Sequence, residues 1–250
     1  MSLPFISCKC ITYARTEFLE ESIESFLKQE YDGKKELIIV NDYPLQKLKF
    51  DHPDVKIFNM DSTFSTIGEK ENFAISQCSG DIIAVWDDDD IMMPNHLSNI
   101  AKYFTEGVNL LQWNRGVYMN LPQIVDITGL GNAGMVYTKD AWERVGKHNL
   151  ENAGYDMSFL FKVRDQIGGC IVASPPDDEV SFFYIWAGRA YHMSGLGTDT
   201  PDRPNVIERH TKHIEEQRLL GLIPTGDINL KPNWKYEYDQ MLIDFIKNRA

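Results

Sequence analysis

Four consecutive carboxylates, Asp87, Asp88, Asp89 and Asp90, follow the apolar run Ile82-Ile83-Ala84-Val85-Trp86. Adjacent carboxylates repel one another, so a chain that keeps four together at a strand end must surround them with water or with positive charge. The first case is a solvated turn with Asp90 capping the next helix, a task that suits Asp. The second is a site for Mg2+ or Mn2+, hard ions that take carboxylate oxygens together with substrate phosphates. The place in the chain favours the metal, because the preceding run reads as a buried strand and ligands of strand-helix chains gather at the carboxyl ends of strands. A divalent ion also resolves a charge problem. The 250 residues carry a formal charge of -12, so a bound diphosphate would be repelled unless a cation offset it and stabilised it as a leaving group. The same charge leaves no broad positive field for nucleic acid or an anionic membrane.

The elements that must hold these carboxylates are legible as short runs. Phe5-Ile11, Glu36-Val40, Val55-Asn59 and Asp81-Trp86 are β-branched or aromatic and too short for buried helices. Between them, Phe18, Leu19, Ile23, Phe26 and Leu27 fall on one helical face, with Thr16 placed to cap it and Glu17, Glu20 and Glu21 near its start. Gly68-Ser79 reads as a helix stopped at Gly80, and Pro94 suits the first turn of a helix reaching about Thr105. Further strands are expected at Val108-Trp113, Met135-Thr138, Ile171-Ser174 and Phe182-Ile185, extending the same sheet, with helices near Ala141 and over Asp156-Gln166. Helical patterns over Val206-Leu220 and Trp234-Ile246 close the chain, and Ser194-Pro204, rich in Gly, Thr and Pro, reads as a loop. The alternation predicts an α/β fold with a mostly parallel sheet covered on both faces. No linker or repeat divides it, so one domain is expected over 1–250.

Four cysteines are too few and too scattered for a disulfide framework or a structural zinc site. Cys8 and Cys10, two apart in a strand, read as reduced core thiols. With no leader-like start and no apolar run of membrane-spanning length, a cytoplasmic protein without an integral membrane segment is expected.

Taken in order, FISCKCI with TYAR behind it, IIVND, and GEKENFAISQCSGDIIAVWDDDD followed by MMP resemble the nucleotide-binding half of family 2 glycosyltransferases. The resemblance runs from about Ile6 to Leu97 and more weakly to about Gly195. It implies a GT-A fold: a Rossmann-like nucleotide-binding half over about 1–105, an acceptor-binding half over about 106–200, and a helical extension over 201–250. It further implies an inverting transferase, a nucleoside-diphosphate sugar donor, commonly UDP-linked, a glycan or other hydroxyl acceptor, and Mn2+ or Mg2+ on an Asp-x-Asp element. Position by position, Thr12 and Tyr13 fall beside the nucleobase, with Arg15 in the same segment. Asp42 falls where an acid accepts from the uracil ring N-H, although Asn-Asp shortly before Pro44 also suits a turn. Asp87 and Asp88 fall on the ribose and diphosphate side, and Asp89 at the metal. Asp156, at the head of an apolar helix, matches the late acid that serves as general base; an ordinary helix cap would also place an Asp there. His192 matches a histidine that some members add to the metal or diphosphate.

Three positions depart from the family pattern. Ala14 stands where Asn is common, Asn41 replaces the first acid of a pair, and Glu71 replaces a cation between Lys70 and Asn72. Lys70 and Asn72 remain for the nucleotide, and a plain surface helix would carry Lys70 and Glu71 as well. Arg189, the aromatics Trp113, Trp186 and Tyr191, and the Gly131-Gly134 stretch are weaker candidates for phosphate or sugar. Two other function classes are compatible with an acidic α/β chain. A nucleotidyltransferase would carry a Gly-rich phosphate loop after the first strand, where Thr12-Tyr13-Ala14-Arg15 stands. An inactivated sugar- or nucleotide-binding relative would fit Ala14 and Glu71.

Overall fold

Cys8 and Cys10 do lie on one face of the first strand, β1 (Ile6–Thr12), both buried as free thiols. They join a core with Leu19, Ile23 and Phe26 of α1 (Thr16–Leu27), while the alternate residues of the strand face the other side of the sheet. A computed structural model describes residues 3–118, 123–126, 134–185 and 206–247. Within them β1 is paired in parallel with β2 (Lys35–Asn41) on one side and β5 (Ile82–Val85) on the other. β2 over 37–40 and β5 throughout are buried on both faces and accordingly apolar without alternation, whereas β1 buries Ser7, Lys9 and Thr12 as well. β4 (Val55–Asn59) continues the sheet beyond β2.

On the far side of β5 come β10 (Met135–Thr138), antiparallel to its neighbours, then β7 (Leu110–Trp113) and β11 (Cys170–Ala173). Helices α2 (Ile67–Gln77), α4 (Lys139–Arg144) and α5 (Tyr155–Gln166) contribute Ile75, Ala141, Trp142, Phe159 and Val163 to the core opposite α1. The later strands only partly extend this sheet. β12 (Phe182–Tyr184) instead joins β6 (Ile91–Met92), β8 (Arg115–Tyr118) and β9 (Gln123–Asp126) in a second sheet. Gln46–Lys49 (β3) pairs with Gly226–Asn229 (β13). These additional strands are two to four residues long, too short for a periodic signal.

Two helix starts differ from expectation. Arg15, not Thr16, is the residue before α1, with no side-chain cap, and Asn95 precedes α3 (His96–Tyr103), leaving Pro94 outside the helix. Thr66 caps α2 by accepting from the Glu69 amide. At the end of the chain, α6 (Val206–Leu219) is followed by α7 (Tyr238–Lys247). The terminal stripe packs on the domain: Tyr238 is fully buried beside Phe183, with Trp234, Met241, Leu242, Phe245 and Ile246 around it. Its hydroxyl donates to the buried Glu21 carboxylate at 2.8 Å, fastening α7 to α1.

His96 sits in the core between Trp86 and Trp113, with Nδ1 3.0 Å from the Ser181 hydroxyl. Burial pushes its imidazole down to about 3, against the opposing effect of Ser181. The unfolded chain takes up a proton near pH 6.5 and the folded one does not, so this contribution to stability is present above that pH and is lost as pH falls toward 3. Linkage puts the loss at about 2 kcal/mol by pH 5. Thermal melts at pH 7.5 and pH 5 should therefore show the advantage of the wild type over His96→Gln shrinking by that amount.

Candidate active site

The parallel register brings three strand ends to one edge. Thr12 of β1 pairs with Asn41 of β2, and Lys9 pairs with Val85 of β5, so Thr12, Asp42 and the Asp87-Asp90 run emerge side by side. This is the edge at which α/β sheets bind ligands. Asp88 and Asp90 are buried, and Asp87 and Asp89 are half-buried. Asp90 does not cap a helix. Its Oδ1 accepts from the Ile185 amide at 2.9 Å, tying the cluster to the end of β12.

Arg15 meets this cluster from the opposite side. Nε donates to Asp88 Oδ2 at 3.1 Å, Nη2 to Asp88 Oδ1, and Nη1 to Asp89 Oδ2 at 2.9 Å. The planar guanidinium suits this two-pronged grip on one carboxylate while still reaching a second. The residue before it makes the reach possible: Ala14 has φ 57, the left-handed conformation. Asn tolerates that region and Ala does not, at a cost of about 1 kcal/mol. Burial alone would lower the Arg15 pKa, but Asp88, Asp89 and Asp87 outweigh it and hold the guanidinium charged. Burial pushes the carboxyls of Asp87, Asp88 and Asp90 up, reinforced by mutual repulsion and only partly relieved by Lys9 at Asp87 and Arg15 at Asp88. One guanidinium thus faces more carboxylate than it neutralises. Hard oxygen donors with surplus negative charge fit a divalent cation, and Arg15 takes only one oxygen of Asp89. Among the described residues, no group of three or more His, Cys, Asp and Glu is arranged to hold an ion by itself.

The remaining candidates have defined places. Lys70, buried on α2, donates to the Thr12 carbonyl at 2.7 Å and to Asp42 Oδ1, and Asp42 Oδ2 accepts from the Phe64 amide. The ends of β1 and β2 are therefore locked together by one ammonium. Tyr13 stands edge-on to Tyr43, ring centroids 5.0 Å apart, with Ile214 of α6 completing an apolar cluster around them. Asn72 turns to the 142–148 stretch. Its Oδ1 accepts from Trp142 Nε1 and the His148 amide, and its Nδ2 donates to the His148 carbonyl. Asp156 is in the first turn of α5, half-buried, accepting from the Met157 amide at 2.8 Å; the residue preceding the helix is Gly154, with φ 77, so Asp156 is not its cap. Trp113 is buried against His96 and Tyr103. His192, Trp186, Arg189, Tyr191, residues 131–133 and the 194–204 loop lie outside the described residues.

The family model described as glycosyl transferase family 2 matches residues 9–167. The chain belongs to that family. The uncharacterized glycosyltransferase YwdF of Bacillus subtilis (strain 168) is 32% identical over 102 residues, 39% of this chain; the match spans 37% of YwdF, well under two thirds of its length. Among solved structures, S. aureus TarS 1-349 in complex with UDP-GlcNAc superposes with TM-score 0.62 at 16% identity, covering 98% of this chain and 72% of that one. The mannosyltransferase PcManGT from Pyrobaculum calidifontis, in complex with GDP-Man and Mn2+, gives TM-score 0.56 at 16% identity, covering 89% and 73%. At such identities the shared property is the GT-A fold.

Family membership gives the departures physical meaning. Ala14 keeps the left-handed turn despite losing Asn. Glu71 is not turned to solvent: it meets Lys9 of β1, and both side chains are fully buried. A lysine between two cysteines in a buried strand was the available signal, since the alternation that puts Cys8 and Cys10 on one face puts Lys9 on the other. Tyr43 and Tyr155 carry no comparable signal in the sequence.

Removing the guanidinium leaves Asp88 buried without its main partner. Arg15→Met is expected to lose about 3 kcal/mol in urea unfolding at pH 7.5. The loss should shrink toward pH 5, where the folded state can protonate Asp88.

Proposed function

We propose that this chain is a divalent-metal-dependent, inverting glycosyltransferase that moves a sugar from a UDP-linked donor to an acceptor hydroxyl. The observation that carries this reading is the convergence of Asp87-Asp90, Arg15 and the Lys70-Asp42 bridge on the carboxyl edge of β5, β1 and β2. Tyr13 and Asp42 would flank the base. Asp42 already accepts from Lys70 and Phe64, but each carboxylate oxygen has two lone pairs, so a ring N-H can still be taken. Asp87 and Asp88 would face the ribose and diphosphate. Asp89 would hold Mn2+ or Mg2+, with the remaining coordination left to His192, donor phosphates and water. When bound, the ion supplies Lewis-acid neutralisation of the leaving diphosphate.

Asp156 would take the proton from the acceptor hydroxyl as that oxygen forms its bond to the anomeric carbon. The bond from the anomeric carbon to the diphosphate oxygen breaks in the same displacement, and the electron pair leaves with the nucleotide. Entry opposite the leaving group inverts the configuration. Arg15, held rigidly at the donor edge, would keep the acids aligned without moving during the reaction. A cytoplasmic setting fits the free thiols of Cys8, Cys10, Cys78 and Cys170. Among the described residues no helix is long and apolar enough to cross a membrane.

Titration calorimetry of UDP into the protein with Mn2+, and again with EDTA, tests the donor site. Affinity should be at least about 10-fold tighter with the metal, a difference of about 1.4 kcal/mol. Equal binding in the two conditions would remove metal dependence from the proposal. Tighter binding of GDP than of UDP would change the donor. Release of UDP from UDP-sugars, without pyrophosphate, then separates transferase from nucleotidyltransferase chemistry.

A further inference from the structure

Lys9 and Glu71 form an ion pair with no exposed side-chain surface, and neither takes part in the displacement described above. Stability does not account for such a pair. Desolvating two charges costs about as much as their attraction returns, and apolar replacements are often neutral or better. Geometry gives it another use. Lys9 lies in the central strand between Ile38 and Val85, on the face covered by α2. Glu71, on α2, has its second oxygen 3.3 Å from the hydroxyl of Tyr155, which donates to it. Tyr155 opens α5 and immediately precedes Asp156.

The surroundings bind the same two elements together. The Ile67 amide donates to Asn152 Oδ1 at 2.9 Å and the Gly68 amide to the Glu151 carbonyl at 3.0 Å, so the first turn of α2 holds the chain entering α5. A Cβ on Gly68 would stand 1.8 Å from the Asn149 carbonyl oxygen, a contact only glycine allows. The His148 ring packs against Phe159 and Tyr155 at 4.4 and 5.6 Å, closing the box around the phenol. Burial pushes the Tyr155 phenol up, and Glu71, Asp87 and Asp156 add to the effect.

We propose that Lys9 and Glu71 are positioning residues which, through the Tyr155 hydroxyl, fix the first turn of α5 and thereby the Asp156 carboxylate relative to the donor edge. The inference rests on the reading of Asp156 as the base. It also assigns Glu71 a purpose: standing where the family pattern has a cation, the acid pairs with Lys9 of the neighbouring strand and anchors the acceptor-side helix.

Two variants test this without leaving a lone buried charge: Tyr155→Phe, and the charge-free double Lys9→Met/Glu71→Met. Amide exchange over 155–159 in the ligand-free protein should accelerate in both, while β1 and β5 stay protected. UDP-sugar turnover should fall about 10- to 100-fold, as a displacement of the base by about 1 Å would cause. UDP affinity should change less than about 2-fold, and the triple variant should lose no more than the double, because the residues act as one unit. Unchanged exchange and turnover in a folded double variant would overturn the proposal. So would a loss confined to UDP affinity. Exchange is measured without ligand, so a wild type that never turns over a UDP-sugar would strike at the transferase reading, while the exchange result would still decide the pair.

Discussion

Asp156→Asn is expected to lower UDP-sugar turnover about 1000-fold while UDP affinity stays within about 2-fold, the pattern of a lost general base. The acid is placed for such work. It sits in the first turn of α5, where the backbone holds it, and its only described hydrogen bond is from the adjacent Met157 amide at 2.8 Å. Gly154, with its positive φ, sets the chain into the helix, so the start of α5 does not depend on the Asp156 side chain. Asn is nearly the same size and can accept from the same amide, so folding should be preserved, with melting temperature within a few degrees. What Asn cannot do is take a proton from the acceptor. Steady-state kinetics with a turned-over donor, paired with UDP calorimetry, separates the two effects. Turnover within about 5-fold of wild type would remove Asp156 from the role, because general-base catalysis supplies at least about 100-fold.

The parts of the fold and site that could be read in the sequence are those that rest on local chemistry. Strands β2 and β5 were legible because burial on both faces demands uninterrupted apolar runs, and β1 and β4 because their short runs carry β-branched and aromatic residues. The Asp cluster was legible because four adjacent carboxylates at a strand end have few explanations. Tertiary contacts decided the rest. The two-residue β6 forms because Ile91 and Met92 can pair with Phe183 and Phe182, which lie some 90 residues away in the chain. Lys70 looked equally suited to a surface helix, and only the meeting of β1 and β2 gives its ammonium the Thr12 carbonyl and Asp42. Asn72 looked like a nucleotide contact, yet its amide is engaged by Trp142 and the His148 backbone, neighbours that α2 acquires when α4 packs on the same face of the sheet. Glu71 reads as a defect in the sequence because its partner, Lys9, belongs to another element. In each case the residue type was plain and its partner was remote.

Asp89→Ala is expected to abolish the gain in UDP affinity produced by Mn2+, a loss of at least about 10-fold in the presence of metal and little change in EDTA. Asp89 differs from its neighbours in what already occupies it. Asp88 is gripped through both oxygens by Arg15, and Asp90 is committed to the Ile185 amide, whereas Arg15 takes a single oxygen of the half-buried Asp89. Asp89 can therefore accept a cation with less rearrangement than Asp88 or Asp90. Its removal also releases Nη1 of Arg15 and lowers the repulsion that raises Asp87, Asp88 and Asp90, so the variant should be no less stable than wild type without metal. That sign distinguishes a ligand from a structural acid. If Asp89 served only to balance Arg15, its loss would lower the melting temperature in EDTA and leave the difference between Mn2+ and EDTA intact. If it holds the metal, the melting temperature in EDTA should hold or rise, and both Mn2+-dependent stabilisation and Mn2+-dependent UDP binding should vanish together.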